Sequence, residues 1–156
     1  MAVLNQNVFK FLFVLQLIIQ GVQPLGKIHH VNKHGLGKVY IETAHKCNWF
    51  KAQIECTRKN MSLIAVDTAA KAAALDEILT KEFDTSCPHL WIGASDLAVE
   101  GTFQWLKTGQ PMSYSKWKPN MPDNYLGKEH CVHITHDRDW NDIKCGFKYG
   151  YICEGA

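Results

Sequence analysis

The segment Trp117–Asp142 reads WKPNMPDNYLGKEHCVHITHDRDWND. It brings three carboxylates and one amide, those of Asp123, Glu129, Asp142 and Asn141, together around a proline and a cysteine. Hard oxygen donors at this density suit Ca²⁺, which takes about six to eight oxygens at about 2.3–2.6 Å. Three carboxylates would repel one another in a folded loop unless a cation neutralised them. The segment therefore predicts a calcium site whose open coordination positions could bind sugar hydroxyls. The alternative is an ordinary exposed loop, rich in turn-forming residues.

The composition is that of one folded domain. A chain of 156 residues with 46% hydrophobic and 21% charged residues has room for one core, and its composition excludes a disordered chain. The net charge of +2 is too small to indicate nucleic-acid binding, and no basic run alternates with aromatic residues. We therefore expect no nucleic-acid partner.

Residues 1–24 are predicted to be a secretory signal peptide. Lys10 precedes an apolar run, Phe11–Val22, which is shorter than the roughly 20 residues that span a bilayer. An uncleaved membrane anchor is the alternative. Removal of the segment would leave an almost neutral extracellular protein with no attachment to the membrane. The basic residues 25–38 have no apolar periodicity and are expected to form a flexible lead-in.

The remaining residues, 39–156, are predicted to form the domain. Asn48 is expected to cap a first helix, and a second should begin at Asp67 or Thr68. Neither helix carries a pattern typical of a functional site. Strands are expected at Val39–Ile41, Leu90–Gly93, Thr102–Trp105, Cys131–Ile134, near Trp140 and at Tyr149–Cys153.

Cysteines and a glycosylation sequon are consistent with secretion. Six cysteines follow the predicted signal: Cys47, Cys56, Cys87, Cys131, Cys145 and Cys153. An even number in an oxidising compartment indicates three disulfides, although the sequence leaves their connectivity open. Asn60-Met61-Ser62 is an N-glycosylation sequon.

Several short motifs, in this order, resemble a C-type lectin domain. They are NWFKAQIEC, MSLIAV, WIGASD, FQW, a W-x-P-x-x-P loop, EHCV, WND and YICE, and the likeness covers about Val39 to Glu154. The resemblance implies an α+β fold, in which two helices flank antiparallel sheets and a long loop carries the binding site. It also implies two disulfides, Cys56–Cys153 and Cys131–Cys145. Cys47 and Cys87 remain, and we expect them to pair by elimination.

The resemblance assigns the calcium ligands residue by residue. Sugar-binding members carry a Glu-Pro-Asn or Gln-Pro-Asp triplet, normally with a cis peptide before the proline, then a Glu and the Asn-Asp of WND. Here the triplet is Met121-Pro122-Asp123. The predicted metal ligands are Asp123, Glu129, Asn141 and Asp142. The predicted sugar-binding residues are Met121, Asp123, Tyr125, Glu129, Asn141 and Asp142.

Met121 departs from the family pattern, because a thioether is a poor Ca²⁺ ligand where the family has an oxygen. Asp123 in the third position matches the galactose-type triplet, and the ring of Tyr125 could pack on the apolar face of galactose. Family auxiliary calcium sites use acids such as Asp96 and Glu100. We do not expect a second ion, because Asn124 and His130 replace further acids.

The function predicted from these residues is that of a secreted, calcium-dependent, galactose-type lectin. Its partners would be glycans on cells or microbes, in recognition or innate defence, and weak single sites favour a homo-oligomer. The alternative is a calcium-independent protein-binding module with a degenerate sugar site. An enzyme is not expected. Strand alternation should turn His133 away from His130 and His136, and all cysteines are assigned to disulfides.

Overall fold

The computed structural model describes residues 26–155, so the predicted signal peptide, residues 1–24, lies outside the described residues. Within them the chain forms the expected α+β domain, with two helices and a sheet of eight strands. The helices are α1 (Trp49–Thr57) and α2 (Ala69–Phe83). The strands are β1 (Lys27–Lys33), β2 (Leu36–Cys47), β3 (Ser62–Leu63), β4 (Leu90–Ser95), β5 (Gln104–Trp105), β6 (Cys131–Ile134), β7 (Trp140–Ile143) and β8 (Tyr149–Glu154). Neither helix is long and apolar enough to cross a bilayer.

Both helices begin where capping chemistry predicts. The Asn48 side chain accepts a hydrogen bond from the backbone N–H of Lys51 at 2.9 Å, and the Thr68 hydroxyl accepts one from Lys71 at 3.2 Å. Each cap satisfies one of the backbone donors that a helix start leaves unpaired. As expected, both helices then bury one face against the sheet, at Trp49, Ala52 and Cys56 in α1 and at Leu75, Ile78 and Leu79 in α2.

The sheet runs in the order β1-β2-β8-β4-β6-β7, with β3 paired to β8 and β5 to β4. The predicted antiparallel pairing holds for every described pair except β4 with β8, which are parallel. Aromatic rings fill the core between the sheet and the long loop: Trp105 and Trp117 both meet the ring of Trp140 edge-on. The long loop is therefore packed on the domain through tryptophan.

The expectation of a flexible lead-in at residues 25–38 is wrong. Residues 27–33 form β1 and pair antiparallel with β2, with Lys33 opposite Leu36. His34 and Gly35 form the turn, both at positive φ (55° and 77°), as the primed two-residue hairpin turns require. The histidines and lysines concealed the apolar alternation, but Leu36 and Val39 are fully buried and hold the hairpin on the domain.

Two of the three expected disulfides are confirmed. Cys56 pairs with Cys153 and Cys131 with Cys145, closing segments of 97 and 14 residues. In the chain-entropy model these cross-links contribute about 4.7 and about 3 kcal/mol. The third bridge is wrong, because Cys47 and Cys87 are both free thiols. The two cysteines pack in different apolar clusters. Cys47 lies in the cluster of Trp49 and Trp91, and Cys87 lies in the cluster that contains the buried residues of α2. The pair expected by elimination therefore consists of side chains in separate parts of the core.

Candidate metal centre and ligand site

Three of the predicted metal ligands converge. Carboxylate oxygens of Asp123, Glu129 and Asp142 all lie within 4.8 Å of one another. Glu129 and Asp142 are buried, at 6% and 0% exposure, whereas Asp123 is exposed. The arrangement is a half-buried anionic cup that opens to solvent on the side of Asp123.

Strand pairing and a disulfide set the floor of this cup. Asp142 lies on β7 directly opposite Val132 of β6, and Glu129 lies two residues before the start of β6. The Cys131–Cys145 bridge joins the start of β6 to the segment after β7. Asp142 therefore lies on a cross-linked strand pair, and Glu129 lies just before that pair begins.

The loop that carries Pro119 and Pro122, which we call the proline loop, forms the wall of the anionic cup. The Met121–Pro122 peptide is cis, as the family resemblance predicts. The backbone N–H groups of Asp123 and Asn124 then donate to the two carboxylate oxygens of Asp142, at 3.2 and 2.8 Å. These bonds fix Asp123 beside Asp142 and leave the carboxylate of Asp123 at the solvent side.

The electrostatics of the cup are unfavourable without a counter-charge. Burial, followed by the charges of Asp142 and Asp123, raises the pKa of Glu129, although the backbone N–H of Tyr125 and the Lys144 ammonium act in the opposite direction. A raised pKa means that the ionised form of Glu129 is destabilised. A bound cation would remove this penalty.

The predicted amide ligand also has an oxygen to offer. Among residues 26–155, the Oδ1 atom of Asn141 has no hydrogen-bond partner although it is buried, while its Nδ2 donates to the Asp142 carbonyl at 2.6 Å. An unpaired buried oxygen costs about 1–3 kcal/mol unless something coordinates it. Three carboxylates and an orphaned amide oxygen form a hard donor set, which suits Ca²⁺. The residues present therefore fit this ion.

The two remaining predicted sugar-binding residues lie on the same loop. Met121 is half-buried, and its backbone N–H donates to the Lys118 carbonyl at 3.0 Å. Its thioether adds no hard oxygen to the cup. Tyr125 opens a 3-10 turn, Tyr125–Gly127, and is 59% exposed. Its ring is therefore available to a ligand.

Comparison with known proteins identifies the fold family. The sequence model of the family described as "Lectin C-type domain" matches residues 45–155. The chain belongs to the C-type lectin domain family. It is 41% identical over 117 residues to C-type lectin 16 of Aedes aegypti, covering 70% of this chain and 76% of that protein. It is 42% identical over 115 residues to salivary C-type lectin 1 of Aedes albopictus, covering 69% and 75%.

Comparison with solved structures identifies the same fold family. The carbohydrate-recognition domain of cow CD23, studied in the presence of a GlcNAc2Man3 oligosaccharide, has a TM-score of 0.67 and 28% identity, covering 85% of this chain and 95% of that one. A calcium-independent type II antifreeze protein also has a TM-score of 0.67, with 26% identity and coverage of 86% and 95%. Membership of this family confirms the expectation that the chain is not an enzyme.

A second cluster in this C-type lectin domain lies beside the first. Asp96, Glu100 and His130 place ligand atoms within 4.8 Å of one another. Nδ1 of His130 lies 3.1 Å from Asp96 Oδ1 and 3.4 Å from Glu100 Oε2, and the Asn124 amide donates to Glu100. Asn124 also accepts from the Glu129 N–H at 3.0 Å, so it connects the two clusters. Sequence analysis noted Asn124 only as a missing acid, and its role as a connector had no signal in the sequence.

The predicted divergence of the histidines is wrong in part. His133 was expected to face away from both His130 and His136, but only His130 lies apart, beside Asp96 and Glu100. His133 and His136 both contact His89: Nδ1 of His133 lies 3.2 Å from Nδ1 of His89, and the His89 and His136 rings are 4.1 Å apart. Strict alternation fails because β6 ends at Ile134, so His136 lies beyond the strand. Burial, then the neighbouring imidazoles, lowers the pKa of His133 to about 4.

Proposed function

We propose that this C-type lectin domain binds galactosides through a calcium ion held by Asp123, Glu129, Asn141 and Asp142. The observation that carries the proposal is the convergence of the carboxylate oxygens of Asp123, Glu129 and Asp142 within 4.8 Å, and the neighbouring residue Asn141 adds a buried side-chain oxygen that has no hydrogen-bond partner. The bound ion would supply coordination positions for two sugar hydroxyls. The side chains around it would orient the sugar.

Galactose is favoured by two features of the loop. Asp123 occupies the third position of the triplet, as in galactose-type members, and the exposed ring of Tyr125 follows two residues later. An aromatic ring suits galactose, because one face of this sugar presents C–H groups. Met121 removes one polar contact to the sugar, so we expect weak binding by a single site and a gain from clustering of several chains.

We also propose that the protein is secreted and acts on glycans of cells or microbes. Support comes from the apolar run of Phe11–Val22, the two disulfides and the salivary relatives. Asn60 is a plausible carrier of an N-glycan, because it is exposed in the turn that follows α1, at a φ of 56°. That turn belongs to a different part of the chain from the proline loop.

The test is retention on a galactose resin. The unmodified protein should be retained in calcium and released by a chelator, and Asp142→Ala should pass through unretained in both conditions. Retention of Asp142→Ala, or retention of the unmodified protein in chelator, would contradict the proposal. A glycan array in calcium and in chelator would then rank galactosides against mannosides.

A second candidate is a calcium-independent interaction module. Met121 favours it, as does the structural likeness to a calcium-independent antifreeze protein. The two candidates differ in a thermal melt, because an ion that binds only the folded state raises the melting temperature. A melt that is unchanged between calcium and chelator would select the module.

A further inference from the structure

The tip of the proline loop presents two apolar side chains to solvent. Tyr125 is 59% exposed and Leu126 is 69% exposed, which makes them the two most exposed large apolar residues among those described. Scattered exposed apolar residues are normal on protein surfaces. Two consecutive ones, which begin two residues after the predicted metal ligand Asp123, form a small apolar ledge. We use the name apolar ledge for Tyr125 and Leu126.

Leu126 also has a backbone conformation that leucine rarely adopts. Its φ is 59° and its ψ is 22°, in the left-handed region, where a Cβ atom is crowded by the following carbonyl. Its neighbours Asn124 and Gly127 share positive φ, but they belong to residue types that tolerate it. Burial of the Leu126 side chain does not compensate this cost, because most of it faces water. Such strain points to a role outside folding.

The ledge is fixed to the metal cluster by consecutive backbone amides. The N–H groups of Asp123 and Asn124 donate to Asp142, and the N–H of Tyr125 faces the carboxylate of Glu129. A surface held in this way loses little conformational freedom when a ligand covers it. The Asn124 side chain also bonds to Glu100, which adjoins Val99, and Val99 is 56% exposed. One more exposed apolar side chain, Val99, therefore lies next in sequence to the residue that Asn124 contacts.

Resting on the calcium-dependent galactoside site proposed above, we propose that the apolar ledge selects galactosides that carry an apolar aglycone. Tyr125 contacts the C–H face of the sugar, and Leu126 contacts an aryl or alkyl group on the anomeric oxygen. The ligand class is a galactoside with an apolar substituent, and Leu126 is a specificity-determining residue. Covering about 50 Å² of apolar surface corresponds to a gain in affinity of roughly fivefold to tenfold.

The experiment compares methyl β-galactoside with phenyl β-galactoside by calorimetry in saturating calcium. The unmodified protein should bind the phenyl glycoside about fivefold to tenfold more tightly. Leu126→Gly and Leu126→Asn, which both tolerate a positive φ, should bring this ratio close to one, chiefly by weakening the binding of the phenyl glycoside. Tyr125→Ala should weaken binding of both sugars.

The matched control is Leu106→Asn, since Leu106 is 46% exposed and lies on the turn after β5, outside the proline loop. It should keep the preference of the unmodified protein. A ratio of one in the unmodified protein, or a ratio that survives in both Leu126 variants, would overturn the inference and leave the galactoside site standing. Failure of both sugars to bind in calcium would overturn the proposed function itself, and the inference with it.

Discussion

Strand β6 separates two clusters of side chains that carry like charges when ionised. Before its first residue the carboxylates of Asp123, Glu129 and Asp142 converge within 4.8 Å. Near its last residue the imidazoles of His89, His133 and His136 meet through contacts of 3.2 Å between nitrogens and 4.1 Å between rings. We call these groups the carboxylate cluster and the imidazole cluster.

The two clusters avoid repulsion in opposite ways. Carboxyl groups have ordinary pKa values near 4, so three together remain charged at neutral pH unless those values rise by about three units. Imidazole has an ordinary pKa of about 6.5 and can lose its proton instead. The carboxylate cluster therefore needs an external cation, whereas the imidazole cluster is stable at neutral pH without a ligand. Crowding of groups with like charge indicates a metal site only where those groups cannot become neutral by gaining or losing a proton at neutral pH.

The largest effect should come from the ion. At a calcium concentration of one hundred times its dissociation constant, binding should stabilise the fold by about 2.7 kcal/mol, which raises the melting temperature by on the order of 10 °C. Asp142→Asn should lose this shift, because it removes a buried ligand charge. Asp137→Asn is the control, since the Asp137 side chain is 72% exposed and lies in the turn after β6. A full calcium shift in Asp142→Asn would show that the cation binds elsewhere.

Acid should act on the imidazole cluster. The pKa of His133 is about 4 in the folded state, below its ordinary value of 6.5, so between these values the unfolded chain takes up a proton that the folded chain refuses. The free energy of unfolding therefore decreases as the pH is lowered through this window, by about 2 kcal/mol between pH 7 and pH 5. Urea unfolding in chelator at both pH values measures the loss.

A matched pair of variants assigns this acid effect. His133→Phe keeps a ring against Trp91, Tyr149 and His89 and should remove most of the pH dependence. His30→Phe, at an exposed position of β1, should retain it. An equal slope in the His133 variant and the unmodified protein would place the titrating group elsewhere.

The carboxylate cluster could be predicted from the sequence, whereas the imidazole cluster could not. The spacing of Met121-Pro122-Asp123, Glu129 and Asn141-Asp142 matches the family pattern, and the cis peptide and two disulfides follow from the same resemblance. The imidazole cluster depends on where β6 ends and on the antiparallel pairing of β4 with β6, and neither is a local property. Alternation fixes the facing of side chains only within a strand.

Two further misses have similar causes. The β-type run Val39–Ile41 was expected, but β1 and the start of β2 escaped prediction because their apolar residues alternate with histidine and lysine, although the His34-Gly35 turn was a usable signal. Pairing Cys47 with Cys87 assumed that every cysteine in an oxidising compartment is bonded. The structure instead places them in different apolar clusters.

The open side of the carboxylate cluster can be tested at Met121. Met121→Gln restores a side-chain oxygen of the galactose-type triplet, and one added hydrogen bond of about 1.4 kcal/mol would tighten galactose binding about tenfold. Met121→Leu keeps the apolar character and should leave the affinity unchanged. Calorimetry with galactose in saturating calcium separates the two variants. Equal gains in both would mean that shape, and not the oxygen, limits the site.

The smallest expected effect concerns the cysteines near the two clusters, which form a disulfide beside the carboxylate cluster and are free beside the imidazole cluster. The carboxylate cluster is flanked by the Cys131–Cys145 disulfide, whereas at the imidazole cluster the backbone carbonyls of two free cysteines accept hydrogen bonds, Cys87 from His136 and Cys47 from Trp91. Burial raises the pKa of both thiols to about 11, so little reactive thiolate is present at neutral pH.

A disulfide reagent should label the half-buried Cys47 slowly in the folded protein, and the fully buried Cys87 only after unfolding. Cys47→Ser should abolish the first phase and leave the melting temperature almost unchanged, while total labelling falls from two thiols to one. Rapid labelling of Cys87 in the folded protein would show that the imidazole cluster opens at neutral pH. The imidazole cluster would then not be stable without a ligand, and its contrast with the ion-dependent carboxylate cluster would be wrong.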